Sequence, residues 1–358
     1  MPKCRSLVAT LVVAVLAVTA LPYVGLAKDK FTLAISIYAG WMPWYYAKDE
    51  GIIKKWAERY KIAINVVEMD YIPSIEAYVA GKADAALMTN MEALDMPARS
   101  GIDTTVLIVG DYSNGNDALL VRGIPDVKGL KGTEVYLVEL SVSHYLLARA
   151  LEMHGIKESE LQVVNTSDSD IGPAFIANKS QKAVVTWNPM VMSIEQTPGV
   201  SKIFDSAKIP GEILDLLVVN TKALNDDPRF AEALVGAWYE VMGLMSQRGP
   251  EADKAMAAMA QRSNASLNEY KAQLRTTAMF WTPEAAIDYT RGTEIKEKMD
   301  FVRNFCFKHG LLGENASSVD IVGISYPDGT MQGDSRNVKL RFDTRVMEKA
   351  RAGQLRQN

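Results

Sequence analysis

Aromatic and acidic side chains gather at a few places in this chain where a small molecule could be held. The run Tyr38-Ala39-Gly40-Trp41-Met42-Pro43-Trp44-Tyr45-Tyr46 carries five rings in nine residues. Gly40 permits close backbone approach, and Pro43 suits a first helical turn. Ring faces attract cations through their quadrupole, by about 0.5–2 kcal/mol each. Tyr45 and Tyr46 read as the core face of a helix, whereas Trp41 and Trp44 are the better pocket candidates. Further along stand Asp70-Tyr71-Ile72-Pro73-Ser74, Thr89-Asn90-Met91-Glu92, the run Asp111–Asp117, Glu139-Leu140-Ser141-Val142-Ser143-His144, Thr166–Asp170 and Trp187-Asn188-Pro189. These segments are rich in carboxylates and contain no Lys or Arg. A carboxylate accepts charge-assisted hydrogen bonds, so the set suits a small cation or a donor-rich solute. More than half of these acids read as ordinary helix caps, and the remainder are left for a site.

Other chemistry is excluded by what the chain lacks. It has no GxGxxG, P-loop, GxSxG, HExxH or CxxC motif. His144, His154 and His309 fall on separate expected helices with no metal-ligand spacing, so neither a metal nor a cofactor is expected. His154 and His309 each precede a glycine that ends a helix, where a cation suits the dipole. His144 reads chiefly as a packing or surface residue. Two cysteines, Cys4 and Cys306, exclude a disulfide framework. The 39 basic and 43 acidic residues, a net charge of −4, argue against a nucleic-acid partner.

The junctions need elements to hold them. Met1–Arg5 is basic, Leu7–Leu26 is apolar and uncharged, and Gly25-Leu26-Ala27 supplies small residues, so residues 1–27 read as a secretory signal peptide cleaved after Ala27. An uncleaved anchor is the rival reading. Removing Lys3 and Arg5 with it takes the charge from −4 to −6. Strands are expected at Phe31–Ile37, Ile62–Met69, Ala83–Met88 and Thr104–Val109, with helices over Pro43–Ala57, Ser74–Ala80 (Ser74 as cap) and Met91–Arg99. A second cycle has strands at Glu134–Val138, Leu161–Val164, Ala183–Thr186 and Ile213–Val219, with helices over Ser143–His154, Ile171–Ala177 and Met190–Glu195. The order argues for mostly parallel, doubly wound sheets. From about residue 222 the patterns are mainly helical, with a strand at Val338–Phe342. The division is a first part of one lobe over 28–115, a second lobe over 116–214, and a return to the first over 215–358 with a helical extension. Ligand loops then sit at the carboxyl ends of strands, facing each other across a cleft.

Phe31–Trp44, Asp70–Ala80 followed by Gly81-Lys82-Ala83-Asp84-Ala85, and Ala183–Trp187 resemble the periplasmic solute-binding proteins of ABC importers, in the nitrate/sulfonate/taurine-like group. Glu68–Ala80, Thr186-Trp187-Asn188-Pro189 and Val338–Asp343 are similar to the urea-carboxylase-associated subgroup, which implies urea-like or guanidine-like ligands. The resemblance implies an α/β fold of two lobes (type II-like) that closes on a solute, a permease as partner, a periplasmic location, a monomer and no enzymatic activity. By position it assigns the ligand loops to Tyr38–Trp44, Asp70–Ser74, Thr89–Asn90, Asp111, Glu139–Ser143 and Trp187–Asn188. Within them Trp41, Trp44 and Trp187 would form walls. Asp70, Asp111 and Glu139 would accept hydrogen bonds, and Ser74, Thr89, Asn90, Ser143 and Asn188 would make neutral contacts. Guanidinium carries only N–H donors, so such a pocket favours it over urea, whose oxygen would go unpaired. The alternatives are a sulfonate, taurine or nitrate-type anion held by backbone N–H groups, and an enzyme of the pyrimidine-precursor synthase kind, which would need a His or Cys cluster.

Overall fold

The computed structural model describes residues 28–313 and 315–355. The expected signal peptide over residues 1–27 lies outside them. The strands are β1 (Lys30–Ile35), β2 (Ala63–Glu68), β3 (Ala85–Thr89), β4 (Thr104–Ser113), β5 (Asp117–Arg122), β6 (Glu134–Leu137), β7 (Gln162–Asn165), β8 (Ala183–Trp187), β9 (Val200–Asp205), β10 (Leu214–Asn220), β11 (Thr277–Met279), β12 (Gly323–Ser325), β13 (Met331–Gln332) and β14 (Val338–Phe342). They form two sheets. The larger runs β13-β12-β14-β4-β10-β3-β1-β2, with β11 paired to β4, and the smaller runs β7-β6-β8-β5-β9. Helices cover both, giving two α/β lobes.

Strands in the middle of each sheet are apolar along their whole length because both faces are covered. Every residue of β3 and of β8 is buried. β2, at an edge, alternates instead. The sheets are mixed, which corrects the expectation of mostly parallel pairing. β10 runs antiparallel to β3 and β4, and β5 runs antiparallel to β8 and β9. β5 and β9 were absent from the sequence reading. They are the strands on which the chain enters and leaves the second lobe, so they reverse direction against their neighbours.

Two helix expectations also change. The single helix over 43–57 is two, Met42–Asp49 and Ile52–Arg59, because Gly51 sits at φ 71 between them. The helix expected from Ser74 begins at Tyr71 and runs to Val79, with Asp70 as the extended residue before it. Pro73 falls in the first turn, where its missing N–H is not needed. Ser74 is therefore no cap, and its hydroxyl donates to the Tyr71 carbonyl at 2.6 Å.

The chain passes between lobes from β4 to β5 and from β9 to β10. The crossings are tied side by side: Ser113 Oγ donates to Asp117 Oδ2 at 2.5 Å and lies 2.7 Å from Ser206 Oγ, which accepts from Gly115 N. In the first lobe Phe31 stacks on Phe230 at 4.4 Å, fastening helix Arg229–Met245 under the sheet. Among the described residues no helix is long and apolar enough to cross a membrane.

Candidate functional site

The ends of β1, β3 and β8 and the starts of β5 and β10 meet at one point between the lobes. The cavity there is lined by Tyr38, Trp41, Tyr71, Thr89, Asp117, Val142, Trp187, Ile213 and Asp215. It is small and tightly walled. Tyr38 follows β1, Tyr71 opens a helix, Thr89 closes β3, and Val142 opens helix Val142–Met153. Strand ends and helix starts thus converge, as open α/β sheets arrange their ligand loops.

Four rings form the wall. Their centroids are 5.2 Å apart for Tyr38 and Trp41, 5.7 Å for Trp41 and Tyr71, and 5.6 Å for Tyr71 and Trp187. The first and last pairs meet edge to face. Three carboxyl groups stand behind and beside the rings. Asp111 is 0% exposed, and Asp117 and Asp215 are each 3% exposed. Asp111 and Asp215 are opposite each other on β4 and β10. Their carboxyl groups interact, and charge on Asp111 disfavours charge on Asp215.

Burial dominates the titration of this trio. It pushes Asp117 up to about 7, against the hydrogen bond from Ser113. It raises Asp111 too, and holds Asp215 well above the carboxylate range with help from the Asp111 charge. Glu92, just below, is also raised by burial. Among the described residues no Lys or Arg lines the cavity. A buried carboxylate without a cation is costly, and protonation relieves it.

Several donors around the cavity are engaged. Tyr38 OH donates to Asp111 Oδ1 at 3.0 Å, Thr89 Oγ1 to Glu92, and Trp187 Nε1 to the Ile37 carbonyl at 3.1 Å. Asp111 Oδ2, Asp215 Oδ2 and Asn116 Oδ1 are buried and accept from no protein donor, and the hydroxyls of Ser36, Ser143 and Thr186 are buried and unpartnered as well. Gly40 is needed for this geometry. A Cβ there would lie 2.5 Å from Asp111 Oδ2 and 2.6 Å from Tyr38 Cε1.

The lobes are closed over the site. Besides Trp187 to Ile37, Tyr71 N donates to Asp168 Oδ2 at 3.0 Å, and Val142 N donates to Glu92 Oε1 at 2.8 Å. Outside Tyr71 and Trp187 the cleft is wider and open, lined in part by Ile37, Met69, Asp70, Asp168 and Arg262. Arg262 is the cation of this mouth, and it is paired with Glu68 and Asp49.

Of the residues expected in the site, Trp41, Thr89 and Trp187 line the cavity, and Asp111 lies directly behind Tyr38. Asp70 faces the outer cleft. The others are elsewhere. Trp44 stacks on Trp238 at 5.1 Å in the core. Ser74 bonds its own helix. Asn90 is used up by the Glu212 carbonyl, Met299 Sδ and Leu214 N. Ser143 is buried beside Val142 without lining the cavity. Glu139 is exposed, and Asn188 bonds Thr276 and Met192 N. Sequence reasoning missed Tyr38, Tyr71, Asp117 and Asp215 as individuals. The first three stood in segments already singled out. Asp215 had its own signal, a lone acid inside the apolar run Ile213–Val219. The histidines were expected apart, yet His144 and His309 both reach Glu158.

The family described as NMT1/THI5 like matches residues 118–252. No curated protein matches the chain significantly in sequence. Among solved structures, the chain is similar to the alkanesulfonate-binding protein SsuA from Xanthomonas axonopodis pv. citri bound to MOPS, at 14% identity and a TM-score of 0.66, over 81% of this chain and 96% of that one. It is similar to the periplasmic nitrate-binding protein NrtA from Synechocystis PCC 6803, at 10% identity and 0.65, over 92% of each. It also matches the desulfurization enzyme DSZB, at 11% identity and 0.57, over 79% of this chain and 93% of that one. Likeness at these identities shows the two-lobed periplasmic binding protein fold.

Proposed function

We propose that this protein is the extracytoplasmic solute-binding component of an ABC importer, and that its ligand is a small planar nitrogen-rich solute, guanidinium before urea. One observation carries the ligand: three buried carboxyls, two of them with an unpartnered oxygen, stand without a protein cation beside four aromatic rings. A guanidinium would donate to Asp117 and Asp215, with Asp111 behind Tyr38, while its flat faces meet Tyr38, Trp41, Tyr71 or Trp187. Urea carries no charge and would gain less from the carboxylates. A sulfonate or nitrate would meet the same carboxylates as like charges, so the anion reading is disfavoured here although two of the similar folds are named for such ligands. The transport role is supported by the two-lobed fold and the closed cleft, since closure on a solute creates a shape that a membrane partner can distinguish.

Calorimetric titration tests the ligand. Guanidinium should bind stoichiometrically, and Asp117→Asn and Asp215→Asn should each weaken it by about tenfold or more. Glu139→Gln, at an exposed site, should leave affinity unchanged. Sulfonate binding with no heat from guanidinium would overturn the ligand assignment.

A further inference from the structure

A carboxylate away from the cavity joins two histidines and, through them, the two lobes. Glu158 lies in a short turn between helix Val142–Met153 and β7, in the lobe of the smaller sheet. His144 belongs to that helix. His309 ends helix Glu294–Lys308, which packs on the other lobe through Met299 against Asn90. His144 Nε2 is 2.7 Å from Glu158 Oε1, and His309 Nε2 is 2.9 Å from Glu158 Oε2. The three potential ligand atoms lie within 4.8 Å of one another, a spacing a divalent metal could use.

The remaining ring nitrogens argue for a proton instead. His144 Nδ1 accepts the Leu140 N–H at 3.1 Å. Its Nε2 must then carry hydrogen, which it gives to Glu158, and it offers no lone pair to a metal. His309 is arranged the other way. Its Nδ1 faces the Phe305 carbonyl at 3.1 Å and must donate. Its Nε2 can also donate to Glu158 only if the ring is an imidazolium.

We propose that protonated His309 is a latch between the lobes, holding the closed state through Glu158 and releasing it as the proton is lost. The idea does not depend on which solute is bound. The Glu158 hydrogen bond raises His309 above its ordinary value while burial opposes it. The bonds from His144 and His309 hold Glu158 well below the usual carboxylate range. The other charges around His309 are Lys308 on its own helix, which works against the latch, and Arg149 and Glu152 across the groove. Arg149 is occupied by Glu212 at 2.8 Å and by Glu152. A group raised in the closed state contributes fully below its open-state value, and the contribution is lost as pH rises through the closed-state value.

The test places nitroxide pairs on introduced cysteines at the exposed Lys54 and Lys179, one per lobe, and measures the distance distribution against pH. At a pH of about 6 the closed population should be larger in the parent than with Glu158→Gln or His309→Leu, and the gap should vanish by about 9. The closed-to-open ratio should differ by about tenfold for each pH unit by which closure raises His309. Taking the difference between proteins cancels the pH response of the cavity carboxyls, which all share. Histidine NMR should show His309 titrating higher in the parent than in Glu158→Gln. Three results would each overturn the latch: equal titration in both, a gap independent of pH, or one tightly held zinc per chain that His309→Leu abolishes.

Discussion

Asp117, raised to about 7 by burial, gives the cavity a pH signature with a definite sign. A carboxyl whose folded value is raised stabilises the fold below its unfolded value, and that stability is lost as pH rises through the folded one. The guest-free protein should therefore melt at progressively lower temperature as pH rises from roughly 5 to 8. Guanidinium affinity should climb over the same window, because the carboxylate form receives the guest. Melting curves and titrations at several pH values check both trends, and Asp117→Asn should make both shallower, with Asp111 and Asp215 supplying the rest. An affinity that fell with rising pH would contradict the acceptor role. At this scale the sequence was partly legible. The acidic, arginine-free segments pointed to the right kind of chemistry. Which acid is buried and which is a solvated cap depends on chain crossings that a linear pattern does not contain. Glu139 and Asp117 look alike in sequence, and only the second is sealed between lobes.

Among the elements, helix Arg229–Met245 shows how tightly the larger lobe is built. Gly236 faces Trp56 of helix Ile52–Arg59, and a Cβ there would lie 2.4 Å from Trp56 Cε3. Alanine is the better helix former by about 1 kcal/mol, but overpacking costs about 1–3 kcal/mol. Gly236→Ala should thus be neutral to destabilising, by up to about 2 kcal/mol in denaturant unfolding. Clear stabilisation would mean the indole is free to move. The helices and buried parallel strands were readable from periodicity and from their glycine stops. β5 and β9 were not, although each has six residues: β5 is flanked by loop-like polar and glycine residues, and β9 mixes polar and apolar residues at a sheet edge.

For the molecule as a whole, the observation that matters is that one wall of the cavity is Tyr71 from the larger lobe and the facing wall is Trp187 from the smaller. The Trp187 Nε1 bond to the Ile37 carbonyl spans the same gap. Trp187→Phe keeps a ring but removes that bond, so stopped-flow release of guanidinium should quicken by about threefold to tenfold while association changes less. Equal release rates would show that the indole only fills space. The two-lobed plan itself was visible in the repeated strand–helix cycles, but the way the lobes interlock was not.

On the proposed function, a solute held behind those two rings would leave by the gap that they close. Its dwell time is set by how often the halves part, not by what competes for it outside. A large excess of unlabelled compound added to the loaded protein should leave the escape rate untouched, and any membrane machinery that unloads it must work by prying rather than by exchange.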